Sequence, residues 1–194
     1  MAYPIAEHYE RTADAFDRAR REKFEERPWL DRFLSPLPRG ARVLDLGCGA
    51  GEPVDRYLID RGFELTGIDV CERMIALART RFPRQRWFRA DMRRVGPDGK
   101  FHGVIAWDSF FHLHQSDQAD MLERIAFWLE PGGALLFNTE PAEGERLHRE
   151  HYHASLDPDG YRLLFETLGL AEIAFAPKDA SCGGRDVWLV RKTG

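Results

Sequence analysis

The chain has 194 residues, with 28 Lys and Arg against 32 Asp and Glu, a formal net charge of -4 and a pI near 6.0. That length suits a single domain spanning 1–194 with a full sheet and helices on both faces, and a second folding unit would be cramped. No basic footprint of the kind phosphate-backbone binding requires is present, so nucleic acid is disfavoured as a partner.

Ala6, Tyr9, Ala13, Phe16 and Ala19 recur at three- and four-residue intervals in an otherwise charged stretch, which predicts a helix over 6–26 with one apolar stripe. Pro28 punctuates it, a short helix covers Trp29 to Leu34, and the prolines and glycine of Ser35 to Gly40 make a connector. Residues 1–39 therefore read as a helical cap ahead of an α/β core at 40–192. Strands at 42–46, 63–68, 86–89, 102–107 and 133–139 alternate with helices at 52–61, 72–82 and 116–129, as a parallel sheet demands. Residues 140–158 are polar, histidine-rich and too long for an ordinary connection, so a lid-like loop is expected there. A helix over 159–168, closed by Gly169, leads to strands at 171–176 and 186–191 that suit an antiparallel pair at the sheet edge. Cys48, Cys71 and Cys182 are far apart and lack metal-site spacing, which reads as reduced thiols. No basic-then-apolar leader is visible and no stretch approaches the roughly 18 apolar residues of a membrane span, so a cytoplasmic protein without membrane contact is expected.

The first strand stops at Gly47, Gly49 and Gly51 just before a helical pattern begins. Such a strand, turn and helix start offers unshielded N–H groups to a small ligand. A dinucleotide fingerprint would need glycine at position 52, where Glu52 stands, and no Gly-Lys-Ser/Thr follows for a P-loop. Asp45 and Glu52 would repel a pyrophosphate, so a ligand with a positive end fits better.

With Asp45-Leu46-Gly47-Cys48-Gly49-Ala50-Gly51 as first motif, the sequence resembles the class I S-adenosylmethionine-dependent methyltransferases. Asp69, ending the second strand in Thr66-Gly67-Ile68-Asp69-Val70, matches the family's ribose-binding acid; Asp91 and Met92 match its adenine-binding pair. Ala106-Trp107-Asp108-Ser109-Phe110-Phe111-His112-Leu113 looks like the segment beside the methionine moiety, and Leu129-Glu130-Pro131-Gly132-Gly133 like the turn before strand five. The resemblance implies a Rossmann-like three-layer sandwich with a mostly parallel seven-stranded sheet and an antiparallel C-terminal edge hairpin. It also implies S-adenosyl-L-methionine as cofactor and S-adenosyl-L-homocysteine as product, held by Asp45, Gly47, Gly49, Gly51, Asp69, Val70, Met74, Asp91, Met92, Trp107 and Ser109.

Methyl transfer from a sulfonium needs alignment and dryness more than acid–base help. His112 and Asp108 are the candidate catalytic groups, His112 because its loop opens at the carboxyl edge of the sheet. Tyr9 on the first helix, and Arg149, Tyr152 and His153 in the expected lid, are candidate contacts to a small-molecule acceptor. The run His148-Arg149-Glu150-His151-Tyr152-His153 lacks a helical i,i+4 ligand pair, so no metal is expected. The alternatives are methylation of nucleic acid or protein, disfavoured by the acidic balance and by Asp-Ser-Phe-Phe at 108–111, and cofactor binding without catalysis.

Overall fold

A computed structural model describes residues 4–94, 96–148 and 151–194. Helix α1 (Pro4–Arg21) and α2 (Arg27–Leu34) precede β1 (Arg42–Leu46), α3 (Val54–Ile59), β2 (Glu64–Asp69), α4 (Glu72–Arg81) and β3 (Arg86–Arg89). Then come β4 (Phe101–Ala106), α5 (Gln115–Trp128), β5 (Leu129–Thr139), β6 (Gly144–His148), β7 (His151–Ser155), α6 (Pro158–Thr167), β8 (Leu170–Asp179) and β9 (Arg185–Lys192). Helix α1 stops short of the expected end because Arg20 donates to the Lys23 carbonyl at 3.0 Å and pairs with Glu26, folding the chain back toward α2.

Seven strands form one sheet in the order β3-β2-β1-β4-β5-β9-β8. β1 to β5 run parallel, while β9 is antiparallel to both β5 and β8. This is the expected three-layer arrangement with its antiparallel edge. Alternation along each strand divides the core between the two faces. Val43 packs with α2 and α3 (Trp29, Leu30, Phe33, Val54, Leu58), whereas Leu44 and Leu46 face α5 (Met121, Leu122, Ile125). β5 and β9 repeat the division: Leu136 and Leu189 lie on the first face, Phe137 and Trp188 on the second. Strand order reverses between β1 and β4, so the carboxyl ends of β1, β2 and β4 converge where open α/β sheets take their ligands.

Two expectations are corrected. Residues 140–158 are not an irregular loop: β6 and β7 pair as a separate antiparallel hairpin, with Arg146 opposite His153 and Leu147 opposite Tyr152. β5 begins at Leu129 rather than 133, because Leu129 already pairs with Phe101 before the register shift around Pro131 and Gly132. No helix among the described residues is long and apolar enough to cross a membrane.

Candidate active site

The turn after β1 is tied to β2 by its own backbone: the N–H groups of Gly47 and Cys48 donate to the Ile68 carbonyl at 2.8 and 3.1 Å. Gly47 has φ +84°, and a Cβ there would stand 2.3 Å from that of Ser109, so only glycine allows this close approach. Ser109, in turn, donates its hydroxyl to the Leu46 carbonyl at 2.5 Å and locks the loop after β4 onto the end of β1.

These segments enclose a cavity of about 490 Å³. Asp45, Gly47, Gly49, Asp69, Val70, Met74, Asp91, Met92, Trp107, Asp108, Ser109, His112 and Tyr9 all border it, so most residues singled out in the sequence come together. Gly51 does not: a Cβ there would meet the Phe82 ring at 2.8 Å, so this glycine serves the packing beneath the turn.

Asp69 is held on both oxygens. Oδ2 accepts from the Gly49 N–H at 2.9 Å and Oδ1 from the Cys71 N–H at 2.8 Å, which fixes the carboxylate and leaves each oxygen a further lone pair. Burial raises its pKa, and those N–H groups oppose the shift. Asp45 is 4 % exposed, and its Oδ1 has no hydrogen-bond partner among the described residues. A buried acceptor left in that state at a cavity wall fits a cationic donor. Glu52, by contrast, gives its charge to Arg56, which reaches Oε1 at 2.8 and 2.9 Å. Asp91 is clasped by Arg93 through Nε and Nη2 at 3.0 and 2.6 Å, while Arg93 also reaches Asp117 at 3.1 Å. Burial raises the pKa of Asp91, but the bonds from Arg93 outweigh it and hold the carboxyl below its ordinary value.

The Nδ1 of His112 lies 3.0 Å from the Tyr152 carbonyl. A carbonyl only accepts, so Nδ1 carries the proton and Nε2 is the basic nitrogen of the neutral ring. Asp108 has φ +52°, unusual for a residue with a side chain, and three contacts hold it there. Its N–H donates to Asn138 Oδ1 at 2.8 Å, its own Oδ1 accepts from Asn138 Nδ2 at 2.8 Å, and the same oxygen forms an ion pair with Arg185 at 2.8 Å. With its charge answered this way, Asp108 suits holding the loop better than accepting a proton. The chain of contacts continues from Arg185 to Glu140 at 2.5 Å and from Glu140 to His153 Nδ1 at 3.0 Å. His153 is 5 % exposed, with its ring centroid 5.0 Å from that of His112, so it backs His112 rather than meeting an acceptor. Tyr152 uses its hydroxyl on His114 at 2.5 Å; neither Tyr152 nor His153 borders the cavity, and Arg149 lies outside the described residues. Tyr9 does border it, and burial, helped by Asp108 and Asp69, pushes its pKa up to about 12, so it stays a neutral phenol.

The profile of a family described as a methyltransferase domain matches residues 16–166. The chain belongs to the class I S-adenosylmethionine-dependent methyltransferases. It is 32% identical over 115 residues to malonyl-(acyl-carrier protein) O-methyltransferase of Enterobacter lignolyticus (strain SCF1), covering 58% of this chain and 45% of that one. Trans-aconitate 2-methyltransferase of Variovorax paradoxus (strain S110) is 32% identical over 117 residues, 59% of this chain and 44% of its own. The match thus spans less than half the length of these relatives. Burkholderia thailandensis 1,6-didemethyltoxoflavin-N1-methyltransferase, crystallised with 1,6-didemethyltoxoflavin and S-adenosylhomocysteine, superposes with a TM-score of 0.77 at 20% identity over 98% of this chain and 88% of that one. At that identity the likeness shows the fold.

Within this methyltransferase fold, several groups at the site carry no motif. Ile5, Ala6, Phe16, Asp17 and Arg20 bring α1 over the cavity, and Arg93, Glu140, Asn138 and Arg185 hold the motif residues in place. The apolar stripe announced α1 without showing what it covers. Arg185 and Glu140 meet only because β9 lies beside β5, a pairing that residue spacing does not reveal.

Proposed function

We propose that this chain binds S-adenosylmethionine and transfers its methyl group to a small-molecule acceptor. The observation that carries this reading is the cavity of about 490 Å³ at the β1/β4 reversal, bordered by an Asp45 oxygen without a hydrogen-bond donor among the described residues and by the anchored Asp69 carboxylate. Asp45 suits the ammonium of the methionine tail, and Asp69 suits the two ribose hydroxyls, since an acceptor-only carboxylate matches a diol that must donate twice. Asp91 and Met92 suit the adenine, with Arg93 keeping Asp91 ionised and oriented; Arg20 suits the tail carboxylate.

When bound, S-adenosylmethionine supplies a methyl group already activated for displacement. The chain's own residues then have to orient an acceptor and keep water out, tasks that Trp107, Tyr9 and Phe16 suit. Where the acceptor loses a proton, the tautomer set by Tyr152 makes His112 Nε2 the base, and Asp108 positions the loop that carries it. The relatives named above act, by their names, on malonyl-(acyl-carrier protein) and trans-aconitate, which supports a carboxylic acid as the first acceptor class to test.

Calorimetry with S-adenosylhomocysteine tests the binding step. Asp69→Ala removes two charge-assisted hydrogen bonds and should weaken binding by roughly 100-fold or more. Absence of wild-type binding would overturn the reading. Labelled S-adenosylmethionine incubated with a panel of small carboxylic acids tests transfer; label that stays on the cofactor across acids, amines and phenols would leave a binding protein instead.

A further inference from the structure

A second carboxyl group lies behind Asp45. Asp55, at the start of α3, is 0 % exposed, and neither of its oxygens accepts from an N–H or hydroxyl group among the described residues; its hydrogen-bonding neighbour is the Asp45 carboxyl. Asp45 projects on the Val43 face of β1, which α3 covers, so the two carboxyls confront one another in a dry space. Groups on every neighbouring element bear on the pair. Asp69 on β2 and Glu26 between α1 and α2 oppose ionisation, while Arg20 on α1 favours it but is itself engaged with Glu26. Cys48 in the turn is buried and its pKa is pushed up, first by desolvation and then by Asp69, Asp55 and Asp45, so it adds no charge. Glu52 and Asp17, which also border the cavity, are answered by Arg56 and Arg81.

Two carboxylates pressed together without water cannot both ionise, and they titrate as a unit. Burial raises both groups, Asp55 well above the ordinary range and Asp45 to about 7. Among the described residues no cationic side chain pairs with either, which leaves the positive charge to come from a ligand.

Resting on the assignment of S-adenosylmethionine and its product as ligands, we propose that the Asp45–Asp55 pair holds one proton in the free protein and releases it to solvent when the ligand's ammonium docks against Asp45. The step is balanced: one carboxyl O–H bond breaks, its proton goes to bulk water, and the ammonium replaces that positive charge. Asp55 is then a positioning residue that acts through Asp45. It ties binding of the amino-acid tail to pH and selects ligands that carry a cation.

Calorimetric titration with S-adenosylhomocysteine, in buffers of different ionisation enthalpy between about pH 5.5 and 7.5, keeps the ligand's own amine protonated. Near the lower limit roughly one proton should leave per ligand bound, and affinity should rise by up to about tenfold per pH unit before levelling off. The nucleoside thioether 5′-methylthioadenosine lacks the amino-acid tail and should bind with a flat profile and no proton release. In Asp55→Asn the amide N–H can donate to Asp45 in place of the shared proton and hold it ionised, so release should fall toward zero and the pH dependence should flatten.

S-adenosylhomocysteine binding without proton release overturns the proposal and leaves the cofactor assignment standing. Equal release from Asp55→Asn also overturns it, because the proton would then come from a group other than the pair, Asp45 alone included. No binding at any pH removes the cofactor assignment and the proposal with it. Should Asp55→Asn fail to fold, the comparison of the two ligands on the wild type still decides, since matching profiles sink the pair as the proton source.

Discussion

Gly47 and Gly49 stand two residues apart in one turn and have different reasons to be glycine. An alanine at 47 would clash with Ser109 in a left-handed conformation, whereas at 49, with φ +53°, nothing lies within 4 Å of the added carbon. Gly47→Ala should therefore cost about 3 kcal/mol or more of folding stability, combining left-handed strain with overpacking. Gly49→Ala should cost only about 1 kcal/mol in denaturant melts, yet weaken S-adenosylhomocysteine by roughly tenfold or more, because its methyl enters the cavity. Glu140 makes a separate prediction about pH. The hydrogen bond to His153, against the opposing effect of burial and with help from Arg185, lowers its pKa from 4.5 to about 2. A depressed carboxyl stabilises the fold above its unfolded pKa, and that contribution is lost as pH falls from about 4.5 toward 2. Glu140→Gln should lower stability at pH 7 by on the order of 3 kcal/mol, and the gap from wild type should shrink in thermal melts taken down to pH 3. At this scale the sequence was informative about which motif residues border the cavity, such as Asp69. It was uninformative about Asp55, which in Val54-Asp55-Arg56-Tyr57 reads as a solvated helix acid and becomes special only when α3 docks it against β1.

Among the elements, α1 is fastened to α4 by acids at three successive turns. Glu10 accepts from the Glu72 and Arg73 N–H groups at 2.5 and 3.4 Å at the start of α4, where the helix dipole favours a negative charge. Asp14 pairs with Arg73 at 2.5 Å, and Asp17 accepts both guanidinium arms of Arg81 at 2.6 Å each. The last pair is the most enclosed, with side chains 5 % and 19 % exposed. Arg81→Met leaves the buried Asp17 carboxylate to its 3.3 Å ion pair with the half-exposed Arg21 and should loosen the docking of α1 by about 2–3 kcal/mol. Hydrogen exchange is the measurement: α1 amides should exchange on the order of 100-fold faster while those of β1 and β4 keep their protection. The elements also show where sequence reading succeeds. Strands at 42–46 and 86–89 appear at the bounds read from the residues, because apolar runs closed by turn signals leave little freedom. The β6–β7 hairpin escaped because Gly-Glu-Arg-Leu-His and His-Tyr-His-Ala-Ser lack an alternating apolar face; its inner side meets polar groups such as Glu140 and His112.

Across the whole molecule, the residues proposed to hold the cofactor lie between 45 and 109, apart from those α1 contributes. Residues 129–192 supply buttresses at one remove: Asn138 and Arg185 on Asp108, and the Tyr152 carbonyl on His112. That division explains why the cofactor could be read from motifs while the acceptor could not, since motifs describe one half and tertiary pairing builds the other. The placement of β9 bears on how the chain leaves the ribosome. It follows the other six strands of its sheet along the chain, yet it lies between β5 and β8, with Trp188 fully buried amid Phe137, Tyr161, Phe165 and Phe175. Until residues 185–192 emerge, β5 and β8 each offer an unpaired edge to any neighbouring nascent chain. A stop codon at position 185 should thus send the product into the insoluble fraction despite sparing every residue that borders the cavity, whereas a stop at 193 should leave solubility unchanged.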